Sequence, residues 1–542
     1  MIDNLKIFQT IPNQPGLKAN ELYHLVDQHK KKKYGFRVQS KIEGDDMALL
    51  EEPIKGLTKP KNYINGEWVE SNGQVSENVN PVTGEPISQV ANSTKGEVDA
   101  AIKAAKEAFI VWRQTPPVAR ARYLFRLKQL LEENFEEISR IQTQEHGKCI
   151  DESRGETRRG IENVEVACGI PTLMMGTNLE DIASGIDEYL IRQPLGVFGI
   201  IGPFNFPFMI PLWSAPYAVA TGNTVVIKPS PEVPLSQWRL AQLVDEAGFP
   251  PGVWNIVNGG SEVGNAFMEH PDIKGITFVG STKTARSIYR KCGETGKRVI
   301  AQAGAKNFMV IMPDCNVPAT VPAMMTSFFG NTGQRCLSGA NLVVVGEDDK
   351  FYRSFVDSIV EAASRIVIGY GLDESVQMGP VKDKAKKEKI LGYIESGIKD
   401  GAKIRLDGRK NFRIAGNYPD TCFLGPTIFE NVTPKMKIGS EEIFGPVMSI
   451  MRARNLDEAI NMCNASPYGN GNAIFTSSGK NAREFQYRVA SGNVGINIGI
   501  VAPMAFFPFS GAKDSFFGIL HTQGQEAVRF FTESKVVIQR WP

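Results

Sequence analysis

Between residues 197 and 302 short apolar runs recur at Val197–Ile201, Thr224–Lys228, Val253–Val257, Gly275–Val279 and Arg298–Gln302, spaced by 22 to 29 residues. Each run has the length of a strand buried on both faces, and each interval has room for one crossover helix, so the rhythm is strand, helix, parallel strand. The stretch 234–247 illustrates a crossover, with Leu240, Leu243, Val244 and Ala247 at helical spacing and Gly248 as the stop. A doubly wound α/β domain is the expected fold. Such sheets bind nucleotides beyond the carboxyl ends of their strands. Lys228-Pro229-Ser230 leaves one strand with a cation able to reach a ribose or phosphate, and Gly280-Ser281-Thr282 opens a helix whose amides suit an anion. Neither is a Gly-x-Gly-x-x-Gly fingerprint, so the motif alone does not specify a dinucleotide.

A chain of 542 residues exceeds one compact core, which predicts two or three domains. The formal net charge is only +2, and charge accumulates in one run, Lys30–Lys33, which argues against a nucleic-acid or membrane-surface protein and for small-molecule partners. Seven scattered cysteines fit no disulfide framework and point to a reducing compartment. The five histidines form no ligand spacing with cysteine or acid, so no metal is expected. Residues 193–227 carry no charge, but Pro194, Pro203, Pro207, Pro211 and Pro216 would break a lipid-exposed helix repeatedly. Residues 1–58 are mixed and polar; they lack an apolar h-region, and acids such as Asp3, Glu21 and Asp27 sit poorly with a mitochondrial presequence. They form an extension of unassigned role. The expected location is the cytoplasm, with a mitochondrial matrix compatible in a eukaryote.

From Asn62 the local signals sharpen. Asn62–Trp68 reads as a strand and turn around Asn65-Gly66, and Thr94-x-x-Glu97 as a capping box opening a helix with Val98, Ile102, Ala105, Phe109 and Trp112 on its apolar face. A second amphipathic helix carries Leu124, Leu127 and Leu131, and a third carries Arg154, Arg158 and Arg159, read from the residues alone as an exposed basic face. Further on, Phe329-Gly-Asn-Thr-Gly-Gln-Arg-Cys336 is a glycine-punctuated turn ending in a thiol beside a cation. A cysteine attacks only as thiolate, so a reactive one needs a cation, a helix start or exposed amides; Arg335, Gly330 and Gly333 could supply such a setting. The other reading of Cys336 is a small buried hydrophobe.

Six motifs in order decide between these readings. Pro203-Phe-Asn-Phe-Pro207, Ile227-Lys-Pro-Ser230, Phe278-Val-Gly-Ser281, Gly333-Gln-Arg-Cys336, Glu441-Glu-Ile-Phe-Gly-Pro446 and Pro508-Phe-Ser-Gly511 resemble the aldehyde dehydrogenase superfamily from about residue 60 to the end. Leu173-Met-Met-Gly176, Gln302-Ala-Gly-Ala-Lys-Asn307 and Ala502–Gly511 narrow the likeness to the CoA-acylating methylmalonate-semialdehyde dehydrogenases. The resemblance implies an α/β fold with a doubly wound Rossmann-type cofactor domain (59–178 and 198–308), an α/β catalytic domain (309–518) and a small oligomerisation sheet (179–197 and 519–542). Val536-Val537-Ile538 reads independently as a strand with little core of its own, which agrees with a homodimer or homotetramer contact.

Carried over by residue, the resemblance makes Cys336 the nucleophile and Asn205 an oxyanion donor. Phe204, Lys228, Ser230, Gly280, Ser281, Glu442 and Phe444 become NAD contacts, and Arg159 and Arg335 take the substrate carboxylate. Two departures matter. Three residues after the strand lysine, where many NAD-using relatives have glutamate, stands Pro231 followed by Glu232, which leaves NADP less excluded. Where hydrolytic relatives have a glutamate stands Gln302, and a carboxamide cannot take a proton from water, so CoA is the implied acyl acceptor. The alternatives are a non-acylating NAD(P)-dependent aldehyde dehydrogenase releasing free acid, and a retired scaffold.

Overall fold

The computed structural model describes residues 49–541 apart from 411, 420 and 421. The five expected runs are strands: β1 (Val197–Ile201), β2 (Thr224–Lys228), β3 (Trp254–Ile256), β4 (Ile273–Val279) and β5 (Arg298–Gln302). They lie parallel in the order β3-β2-β1-β4-β5. The side on which successive strands are added therefore reverses between β1 and β4, the crevice where a doubly wound sheet binds its ligand. Every residue of β1 and β2 is buried, which is why both read as unbroken apolar runs. The crossover helix Leu235–Glu246 buries Leu240, Leu243 and Val244 against this sheet's core.

An amino-terminal hairpin, Asn62–Ile64 with Glu67–Val69, extends the β3 edge antiparallel. Its turn is Asn65 (φ 54°) and Gly66 (φ 79°), the pair of left-handed residues that matches strand twist. Thr94 and Glu97 form the expected capping box on the helix Lys95–Trp112, each side chain meeting the other's backbone amide.

A second parallel sheet holds β6 (Asn307–Ile311), β7 (Gly339–Val345), β8 (Thr427–Glu430), β9 (Val447–Ala453), β10 (Gly471–Phe475) and β11 (Asn493–Ile496), in the order β8-β9-β7-β6-β10-β11. Only four residues separate β5 from β6, so the carboxyl ends of the first sheet face the start of the second. A third, three-stranded antiparallel sheet pairs Asn178–Ala183 with Ile186–Pro194 and that strand with Thr532–Arg540.

Two boundaries differ from expectation. Phe516–Gly518, expected within the catalytic segment, pairs antiparallel with β5 and closes the cofactor sheet, because β5 is otherwise an open edge. Asn307 and Phe308, expected at the end of the cofactor segment, already belong to β6. Within the amino-terminal extension, Leu50 packs on the core of the second sheet and its amide donates to the Leu372 carbonyl at 3.0 Å. The lysine run at 30–33 lies outside the described residues. Among the described residues no helix is long and apolar enough to cross a membrane.

Candidate active site

The loops that leave the first sheet meet the turn before β7 around one cavity of about 330 Å³. Each wall segment has a local origin. Phe204 and Asn205 follow β1, Ser230 follows β2, Gly280 and Ser281 follow β4, and Cys336 ends the turn beyond the helix Val317–Phe329. Glu442 and Phe444 come from the approach to β9. Lys228, the last residue of β2, is buried; its Nζ donates to the Pro229 and Gly259 carbonyls at 2.9 and 3.0 Å, and burial holds its ammonium down to about 8. Ser281 caps the helix Thr282–Glu294 through the Thr284 amide at 3.4 Å. Glu442 accepts from the Ala305 amide at 2.8 Å, and burial raises its pKa.

The turn carrying the nucleophile is strained. Asn331 (φ 49°), Thr332 (φ 54°) and Gly333 (φ 68°) are consecutive left-handed residues, a conformation costing about 1–3 kcal/mol where the side chain is β-branched. Thr332 is held there by donating to the Gly379 carbonyl at 2.9 Å, and Asn331 by a hydrogen bond from its backbone amide to Glu152 Oε1. At Gly333 a Cβ would stand 2.2 Å from the Gly445 carbonyl oxygen, so no other residue fits. The Cys336 carbonyl then accepts from Asn307 Nδ2 at 2.8 Å and from Asn470 Nδ2 at 3.0 Å.

Burial, with the Glu442 charge adding to it, pushes the Cys336 thiol up to about 12, opposed by Asn470 and by the Cys336 and Leu337 amides. The cation expected beside the thiol is committed elsewhere. Arg335 instead turns to Glu152, donating from Nη2 to Oε1 at 2.8 Å in a largely buried pair. Arg159 is also engaged, with Glu162 at 3.0 Å and with the Met504 thioether. The two arginines thus lie outside the group of residues that line the cavity. The neighbouring arginines of the same helix are ion-paired as well, Arg158 with Glu132 at 2.7 and 2.9 Å and Arg154 with Glu136 at 2.8 Å.

Several residues of the site carried no signal in the sequence. Lys148 is fully buried, with Nζ 2.6 Å from Glu156 Oε2 and 2.5 Å from the Asn205 carbonyl. Glu156 Oε1 in turn accepts from the Phe208 and Met209 amides at 2.9 and 3.1 Å, so one buried ion pair anchors the whole loop that presents Asn205. Asn205 Nδ2 donates to the Gln334 carbonyl at 3.0 Å, tying that loop to the nucleophile's turn. At the mouth, Lys386 lies 4.5 Å from the Phe204 ring centroid and pairs with Glu232 at 2.7 Å. Gln302, which the sequence did single out, is buried and donates from Nε2 to the Phe509 carbonyl at 2.7 Å.

The aldehyde dehydrogenase family model matches residues 68–537. Malonate-semialdehyde dehydrogenase 2 of Geobacillus kaustophilus is 48% identical over 487 residues, 90% of this chain and 99% of that protein. The Bacillus anthracis protein of the same name is 49% identical over 482 residues, 89% and 98% of the two chains. Among solved structures, methylmalonate-semialdehyde dehydrogenase from Oceanimonas doudoroffii superposes with a TM-score of 0.87 at 42% identity, covering 90% of this chain and 99% of its own. A Sinorhizobium meliloti chain assigned to the same activity and solved with NAD gives 0.87 at 40% identity, with the same coverage. Fold, motif order and these likenesses agree: the chain belongs to the aldehyde dehydrogenase family.

Proposed function

We propose that this chain oxidises malonate and methylmalonate semialdehyde with NAD and passes the acyl group to coenzyme A, giving acetyl-CoA or propionyl-CoA with loss of CO2. The observation that carries the reading is Gln302 where hydrolytic relatives have a glutamate, in a chain 48% identical to a malonate-semialdehyde dehydrogenase over 90% of its length. Cys336 Sγ attacks the aldehyde carbon. The oxyanion that forms is met by Asn205 Nδ2 and the Cys336 amide, donors worth roughly 3 kcal/mol each in comparable sites. The cavity suits a dinucleotide, because Gln334 Oε1 and Nε2 are buried at its wall without a protein partner and Ser281 opens a 13-residue helix toward it. Phe204, Lys228, Ser230, Gly280, Ser281, Glu442 and Phe444 would hold NAD, which would supply the two-electron acceptor.

The thioester on Cys336 then waits. Gln302 has no proton-accepting charge, and its Nε2 is committed to the Phe509 carbonyl, so a carboxamide there does not activate water as a carboxylate would. A malonyl-type acyl group carries its carboxylate on the carbon next to the thioester carbonyl. As the bond to that carboxylate breaks and CO2 leaves, the electron pair enters the thioester as an enolate, which the same two donors stabilise. Arg159 and Arg335 hold the carboxylate beforehand, their planar forks matching its two oxygens once Glu162 and Glu152 yield. The third sheet exposes Val536 and Ile538, and Trp541 just beyond it is exposed as well, which supports a homodimer or homotetramer. The seven cysteines, scattered along the sequence without close pairs, support a reducing compartment such as the cytoplasm.

The test is NADH formation from malonate semialdehyde with and without CoA. Steady turnover is expected only with CoA, and fast release of free acid without it would establish the non-acylating reading. NADP belongs in the same assay, since Glu232 is already neutralised by Lys386 and Pro231 carries no charge.

A further inference from the structure

Cys336 and Glu442 border a second, smaller chamber as well as the cofactor cavity. Its volume is about 20 Å³, enough for one water. Lys306, Arg335 and Ser338 complete its polar wall. Each of these three contributes a buried polar atom without a protein hydrogen-bond partner: Lys306 Nζ, Arg335 Nε and Ser338 Oγ. Buried polar groups are seldom left so, and three of them around one water-sized space next to a nucleophile point to a built water site.

The charged groups around it are Glu442 and Glu441, both acting on Lys306, and Arg335, which is neutralised by Glu152. Lys389 acts on Glu442 from the cofactor side. Lys306 has no ion pair among the described residues, and burial holds its ammonium down to about 7 against the pull of Glu442 and Glu441. A lysine so placed can be neutral at working pH and accept a proton.

We propose that this chamber is a proton relay, in which one water links the Cys336 thiol to the Lys306 amine. The S–H bond breaks with its electron pair left on sulfur, the water passes a proton on, and an N–H bond forms on Nζ. The ammonium returns that proton when sulfur leaves the acyl group as thiolate. This rests on Cys336 being the nucleophile and gives the thiol a proton acceptor as it attacks, where Arg335 is committed elsewhere.

The experiment is the pH dependence of Cys336 alkylation by iodoacetamide in the full-length protein, with the NADH burst from propanal as second readout. Lys306→Met is expected to move the alkylation inflection up by about one pH unit or more, a tenfold loss of rate at neutral pH that recovers in alkali. Ser338→Val fills the chamber, leaves Lys306 in place and is expected to shift the inflection the same way. If Lys306→Met does not fold, Ser338→Val decides alone. An unchanged inflection, or a loss of rate equal at every pH, overturns the relay. Alkylation needs neither semialdehyde nor CoA, so that failure would leave the substrate reading standing.

Discussion

The two sides of the Cys336 turn are built on different terms. On the cofactor side, residues from five loops reach one cavity with their backbones already fixed, because each stands at the end of a buried strand or a strained turn. On the arginine side, Arg159 and Arg335 are each tied to a carboxylate, Glu162 and Glu152, and neither lines that cavity. The cofactor side is ready before binding, whereas the arginine side must exchange partners when a carboxylate arrives. An exchange of ion pairs gives selectivity, since a substrate without a carboxylate has nothing to offer in return.

The sharpest separation of the two sides is Cys336→Ala. Dehydrogenase activity should vanish while NAD titrates with unchanged affinity, because no cofactor contact is lost. Next come Arg159→Ala and Arg335→Ala, which should each lower kcat/KM for malonate and methylmalonate semialdehyde on the order of a hundred- to several-thousand-fold, equivalent to roughly 3–5 kcal/mol. Propanal should suffer far less. Equal losses on both substrate types would mean the arginines serve the fold through Glu152 and Glu162, and the comparison would collapse.

Lys148→Met breaks the cofactor side from beneath. It leaves Glu156 buried without its partner, which should cost about 3–5 kcal/mol in urea unfolding and lower kcat for every aldehyde by loosening Asn205. Gln302→Glu should have a smaller effect, and a pH-dependent one. Its acid can replace the Gln302 donor to the Phe509 carbonyl only when protonated, so its folded-state pKa is raised. Stability close to wild type is then expected at low pH, with roughly 1–3 kcal/mol lost as pH rises through that raised value. A gain of hydrolysis without loss of stability would show the side chain facing the thioester instead. Thr94→Ala, remote from both sides, should cost about 1 kcal/mol and no activity.

Legibility followed the same division. The five strands, the capping box and the Asn65-Gly66 turn were readable because each signal is local, within a run of a few residues, whereas the residues now seen around the cavity were named through the family resemblance of their motifs. The arginines' partners were not, since Glu152 lies 183 positions before Arg335 and only the fold brings them together. Gln302 and Phe509, 207 positions apart, teach the same lesson. Lys148 and Glu156 sit in an ordinary polar stretch, and nothing short of the packed helix Ile150–Cys168 against the loop after β1 marks them as buried. The edge strand Phe516–Gly518 was placed with the catalytic segment because three residues carry no statement of which neighbour they will find.

The central claim, an acyl group held on Cys336 until a thiol takes it, is tested most directly by mass spectrometry of the enzyme quenched after mixing with NAD and malonate semialdehyde but no CoA. The account predicts close to one acyl group per chain, located on the Cys336 peptide and discharged as acyl-CoA when CoA is added. An unmodified Cys336 with free acid accumulating in solution, or an acyl group on another cysteine, would contradict it.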